Sequence, residues 1–118
     1  MFNYIFLKSA AALVIIDSIF LYAMKDHFNK QVQTIQGSPL KLNMWGALIT
    51  YIFLVVGLNY FIIKPKRSIK DAFLFGLIVY GVFEGTNIAI FSKWSWITFL
   101  MDTLWGGILL ALTTYMVQ

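Results

Sequence analysis

The sequence contains no cysteine, so neither a disulfide framework nor a thiolate metal site is possible. It has one histidine, His27, which excludes motifs built on paired histidines such as His-x-x-x-His. Charge is scarce: 12% of the residues are charged, against about 25% in soluble domains. Hydrophobic residues make up 60%. The 118 residues are one domain's worth. A water-soluble domain of that size keeps a large share of its surface exposed and could not hide so much apolar side chain. Long uncharged runs in such a chain indicate membrane spans.

A span needs roughly 20 mostly apolar residues. The runs at about 2–24, 42–63, 69–91 and 96–116 meet that length, predicting an all-α bundle of four transmembrane helices in a single integral membrane domain, 1–118. The first run exceeds a signal-peptide core and holds a carboxylate, which argues against a cleaved leader. Ser38-Pro39 offers an N-cap and first-turn proline for the second span, and Lys64-Pro65 stops that span. Ser68 with Asp71 resembles a capping box, and Ser95 can cap the fourth span. Trp45, Trp94 and Trp96 lie near span ends, where an aromatic belt places them.

Between the first two spans, Phe28, Val32 and Ile35 recur at helical spacing in "KDHFNKQVQTIQG". That pattern fits a short amphipathic helix at the membrane surface, with a polar loop as the alternative. His27 in this stretch is expected to be solvated rather than a ligand. Four spans put both ends of the bundle on one side. Lys8, Lys64, Lys66, Arg67 and Lys70 fall on that side, and Lys25, Lys30, Lys41 and Lys93 on the other. The dense run "KPKRSIK" beside two span ends favours a cytoplasmic location for the first side, and could touch anionic headgroups.

Of the five acidic residues, Asp17, Glu84 and Asp102 fall inside spans. Counting at 1.5 Å per residue, each lies roughly 9–11 Å from the end nearer Lys25 and Lys93. An acid at a span centre costs about 2.5–3.5 kcal/mol on insertion scales. The three are therefore expected to face the bundle interior. No lysine or arginine lies at that depth. Either some of the carboxyls keep a proton, or a cation, cationic ligand or water-filled cleft compensates them. Nearby donors are Asn87 and Tyr80 for Glu84, Thr98 and the Trp105 indole for Asp102, and Ser18 for Asp17. Tyr80, Glu84, Asn87 and Phe91 form one helical stripe, and Thr98, Asp102, Trp105 and Leu109 another. Gly81 and Gly85, four apart, could let two helices approach, as could Gly106-Gly107. "IIDSIFL" faintly echoes "LMDTLWG", an inverted repeat at most seven residues long.

The stretch "YGVFEGTNIAIFSKWSWITFLMDTLWGG" resembles the core motif of an uncharacterised multi-pass membrane protein family, domain of unknown function 2177. That family has Asp-x-Thr-Asn in its third span, then Lys-x-Trp, then Asp-x-x-Trp-Gly opening its fourth. The corresponding positions here are Glu84, Thr86 and Asn87, then Lys93 with Trp94 and Trp96 nearby, then Asp102, Trp105 and Gly106. The family's first-span Asp-x-x-Trp-Leu resembles Asp17 to Leu21. Glu84 stands where the family has aspartate, and Phe20 where it has tryptophan. The resemblance spans nearly the whole chain. It implies a small four-span protein with no established activity, of a kind found in bacteria and large DNA viruses.

Two functional readings follow. One is a non-enzymatic membrane protein with a structural or interaction role in a membrane assembly, such as the internal membrane of a large DNA virus particle. Its partners would be lipid, other membrane or capsid proteins, or further copies of itself. The other is a small transporter or binder of a proton, cation or cationic molecule at Asp17, Glu84, Asn87, Asp102 and Trp105. A lipid-acting enzyme is a third possibility, since paired carboxyls can do acid/base work, but no nucleophile motif accompanies them. The sequence implies no catalytic residue, no cofactor and no nucleic-acid partner.

Overall fold

In the computed structural model, residues 3–118 are described; Phe2, where the first span is expected to begin, lies outside them. All regular structure among the described residues is helical. In chain order the helices are α1 (Tyr4–Ala23), α2 (Lys25–Gln36), α3 (Met44–Leu58), α4 (Ile69–Ile90) and α5 (Trp96–Val117). A π-helical turn, Asn59–Ile63, continues α3, so that the span Met44–Ile63 is 20 residues long. With α1, α4 and α5 it makes four helices long and apolar enough to cross a membrane.

Local chemistry sets the helix ends. Asn3 Oδ1 accepts from Phe6 N at 2.9 Å and starts α1. Ser95 Oγ accepts from Ile97 N and Thr98 N at 3.0 and 3.2 Å and starts α5. Ser68 Oγ accepts from Asp71 N at 3.0 Å, giving one half of a capping box. The other half is missing because the Asp71 carboxylate pairs with Arg67 Nε at 2.8 Å. The expected cap at Ser38-Pro39 is corrected. Gly37 adopts the left-handed conformation (φ 76°) and ends α2, and the carbonyls of Ser38 and Pro39 accept from Gln36 Nε2 at 3.2 and 3.1 Å. Asn29 Oδ1 takes Leu40 N at 2.8 Å, folding the chain back along α2. The cap of α3 is Asn43, whose Oδ1 accepts from Trp45 N and Gly46 N at 3.0 and 3.2 Å. Ser38-Pro39 thus closes one helix instead of opening the next.

The tightest helix pair is α4 with α5, and glycine makes it so. A Cβ added at Gly76 would collide with the Gly106 backbone, and one at Gly106 with the Tyr80 ring. One at Gly107 would sit 2.8 Å from the Phe73 ring. Residue 76 lies opposite 106, 81 opposite 103 and 85 opposite 99, so the two helices run antiparallel in a fixed register. The close approach is not at Gly81 and Gly85. Their nearest neighbours would be Thr103 Cγ2 at 3.6 Å and a Phe99 ring atom at 3.9 Å, which are ordinary contacts.

On its other side α5 packs on α1, and α1 packs on α3. Phe20 of α1 stacks on Trp105 of α5 with ring centroids 4.3 Å apart and planes 5° from parallel. Asn59, at the start of the π turn, donates to Ser9 Oγ at 2.9 Å and to Val55 O at 2.8 Å, joining α3 to α1. Leu13, Leu58, Leu109 and Leu110 are fully buried between these helices. The contact of α3 with α4 is thin by comparison and includes Gly57 against the Phe75 ring. Large apolar side chains such as Ile15, Ile19, Phe53 and Val82 stay exposed on the outside, as a lipid solvent allows.

The bundle has two chemically different ends. At one, Gln118 Nε2 donates to Arg67 O at 3.2 Å, placing the end of α5 beside the basic loop. At the other, α2 docks on the α4–α5 connection. Gln31 Nε2 donates to Lys93 O at 3.1 Å while Gln31 Oε1 accepts from Ser95 N at 3.0 Å.

The glycine register yields a graded prediction. Gly76→Ala should destabilise the fold by about 1–3 kcal/mol, because backbone rather than a flexible side chain must move. Gly81→Ala should stay within about 0.5 kcal/mol of the parent. Reversible unfolding in mixed detergent micelles, followed by circular dichroism, measures both. Equal losses at the two sites would contradict the packing described.

Candidate functional site

Asp17, Glu84 and Asp102 are 6%, 0% and 7% exposed. Such carboxyls need compensation, since a buried charge without partners is strongly unfavourable. Each finds it differently. Asp17, on α1, accepts from both neighbouring spans. Tyr51 Oη of α3 donates to its Oδ2 at 2.6 Å, and Trp105 Nε1 of α5 to its Oδ1 at 2.9 Å. The flat stack against Phe20 holds the indole edge toward that oxygen.

Glu84, on α4, accepts from Trp94 Nε1 at 2.7 Å through Oε1. Trp94 follows the turn after α4, and the chain reversal returns its indole to the helix it has just left. The Asp102 carboxyl of α5 lies within hydrogen-bonding reach of Glu84. Treated as bare acceptors, the two leave Glu84 Oε2 without a donor. A proton on either carboxyl supplies one, because only a protonated carboxyl can donate. The glycine register places the two in contact by setting α5 against this part of α4.

Several donors go elsewhere than their sequence position suggests. Trp105 serves Asp17, not Asp102. Thr98 donates to Gln31 Oε1 at 2.9 Å and contacts His27 Nε2 at 2.7 Å, so it fastens α2 to α5. His27 is accordingly engaged rather than merely solvated. Ser18 is exposed and has no bond to Asp17. Asn87 is buried beside the Glu84 stripe with its Nδ2 unpartnered, and Thr103 Oγ1 is likewise without a partner. Trp94 turns inward to Glu84, whereas Trp45 and Trp96 are exposed.

Two cavities reach the Glu84–Asp102 pair from different directions. One, of about 560 Å³, lies under α2 and has Glu84 and Trp94 on its wall. Phe28, Val32 and Leu40 make it largely apolar, and Lys25, Asp26 and Asn29 are its polar lining from α2. The other is a crevice of about 260 Å³ between α3 and α4, lined by Thr50, Leu54, Val79, Tyr80, Phe83 and Asp102. It adjoins a second hollow of about 400 Å³ that shares Thr50, Leu54 and Val79. Phe83 lines both the cavity under α2 and the crevice. Among the described residues, no group of three or more His, Asp or Glu side chains is arranged to hold a metal ion.

These helices and acids fall within one continuous match. Residues 2–118 match a family model described as a predicted membrane protein, DUF2177. The chain belongs to the DUF2177 family. No curated protein and no solved structure matches it. In this DUF2177 chain the two departures from the motif have a visible setting. Phe20 supplies a flat ring for the stack on Trp105, a role that needs no indole N–H. Glu84 accepts from the Trp94 indole and lies within hydrogen-bonding reach of Asp102.

Sequence reasoning missed Tyr51, Gln31 and the inward turn of Trp94. A tyrosine within an apolar span is a visible signal, because a buried phenol seeks an acceptor. Gln31 carries none, since its role depends on where α2 docks. Tyr51→Phe and Trp105→Phe should each cost about 1–3 kcal/mol, the range for leaving a buried acceptor without its donor. Trp105→Phe keeps a ring against Phe20 and so isolates the bond. The double variant should depart from the sum by about 0.5 kcal/mol or more, because both bonds end on one carboxyl. Additive losses in micellar unfolding would mean that Asp17 does not couple them.

Proposed function

We propose that this protein is a non-enzymatic multi-pass membrane protein that binds a proton on the Glu84–Asp102 pair. The observation that carries the reading is the contact of two deeply buried carboxyls with, among the described residues, no ion pair to either. A proton between them removes one charge and supplies the missing donor to Glu84 Oε2. Intramembrane acids of this kind mark proton and ion pathways.

The ionisable groups around the pair come from every packed helix: Asp17 from α1, Lys25 and Asp26 from α2, Tyr51 from α3 and Tyr80 from α4. Lys25, on the lining of the cavity under α2, makes no ion pair with Glu84. In this reading the three acids form one polar cluster with divided roles. Asp17 ties α1 to α3 and α5, and the pair holds the proton. The helix α2 lies along the membrane surface with Phe28 and Val32 turned inward, and the basic loop faces the cytoplasm.

A packing role in a membrane assembly is the second reading, and the Tyr51 and Trp105 bonds to Asp17 favour it. Infrared spectroscopy of the reconstituted protein separates the two. With a shared proton, the parent protein shows a protonated-carboxyl band at neutral pH. It should vanish in both Glu84→Gln and Asp102→Asn, because the introduced amide donates in place of the proton. Absence of that band in the parent protein, with the fold intact, would leave only the packing role.

A further inference from the structure

The crevice between α3 and α4 is built differently from the rest of the bundle surface. It has one carboxyl, Asp102, on a lining otherwise made of Thr50, Leu54, Val79, Tyr80 and Phe83. Asp102 is 7% exposed, and among the described residues it accepts no N–H or O–H donor apart from the proton it can share with Glu84. The adjoining hollow is lined by Ile49 and Phe53, both more than half exposed, so the crevice communicates with the apolar outside of the bundle.

We infer that this crevice binds a small organic cation with an apolar body, its charge against Asp102. An ammonium group is attracted both to a carboxylate and to aromatic faces, and Tyr80 and Phe83 supply the faces beside Asp102. Leu54 and Val79 cover the apolar part. A volume of about 260 Å³ suits an occupant the size of a single aromatic ring with a quaternary nitrogen. An inorganic cation would have to exchange its water for a set of oxygen ligands, and the lining offers only Asp102, Thr50 and Tyr80. A neutral acyl chain would leave the Asp102 charge uncompensated.

The inference rests on the proton reading in one respect. With one proton, the pair carries one negative charge. The crevice opens onto the Asp102 member of the pair, so a bound cation meets that charge there, and the two carboxyls have unequal positions. Glu84 is the member on the cavity under α2, and Asp102 is the member on the crevice. Asp17 keeps its own donors, Tyr51 and Trp105, and takes no part.

The test uses benzyltrimethylammonium, which has no titratable proton, with neopentylbenzene as its uncharged isostere. Binding to the purified full chain in non-ionic detergent is measured by equilibrium dialysis. The cation should bind saturably at one site per chain, and the isostere at least tenfold more weakly. Asp102→Asn should abolish binding. Phe83→Ala should weaken binding by about two- to fivefold, as loss of one aromatic face predicts. Equal binding of the isostere would overturn the inference and mark the crevice as an acyl-chain groove. Unchanged binding in Asp102→Asn would overturn it too. So would a stable dimer by analytical ultracentrifugation that binds neither probe, because a second copy would then fill the crevice. A protonated-carboxyl band without cation binding overturns this inference and leaves the proton reading. Charge-selective binding without the band does the reverse.

Discussion

Three carboxyl groups inside an apolar bundle, without a basic side chain to neutralise them, are the constraint to which this structure answers. In hydrocarbon an unsatisfied polar group has no water to fall back on. The bundle therefore spends its interior donors on the acids: the Tyr51 phenol and the Trp105 indole on Asp17, and the Trp94 indole on Glu84. Asp102 is left with another acid as its neighbour. Aromatic donors suit this purpose because one side chain gives both a hydrogen bond and a large apolar surface. Glu84 Oε2, Asn87 Nδ2 and Thr103 Oγ1 are the buried polar atoms that these donors leave unserved.

That arrangement depends on a backbone contact well away from the acids. Gly76, Gly106 and Gly107 let α4 and α5 approach until side chains would collide with backbone. Small residues are the usual means of helix association in lipid, where the hydrophobic effect does not drive helices together. Close approach at this point sets the antiparallel register, and the register brings Glu84 and Asp102 together. α3 packs on α1 and meets α4 only thinly. The crevice is the space that this packing leaves open between α3 and α4, and Asp102 is on its lining.

Different parts of this structure were legible in the sequence to different degrees, for physical reasons. Spans are a property of run length, so four of them could be read directly; helix ends depend on which of several polar residues wins. Asn43 rather than Ser38 caps α3 because Ser38 and Pro39 are committed to closing α2. Counting along a helix also gives depth, which is why Asp17, Glu84 and Asp102 could be considered together. Depth is not azimuth. Trp105 lies on the same stripe as Asp102 yet points to Asp17, because a neighbouring helix supplies the nearer acceptor. Trp94 has the sequence position of a belt residue, and only the tight reversal before α5 turns it inward. His27 and Gln31 gained partners from the docking of α2, which no periodicity encodes.

The unequal treatment of the three acids is itself informative. Asp17 has both oxygens occupied by donors from two other helices, so loss of its carboxyl would loosen three spans together. Glu84 and Asp102 lie against each other, with one indole donor, from Trp94, on Glu84. They also face separate cavities, divided at Phe83, which lines both. The distinction between a carboxyl that fastens three helices and a pair of carboxyls left facing each other thus follows from where the tyrosine and tryptophan donors point.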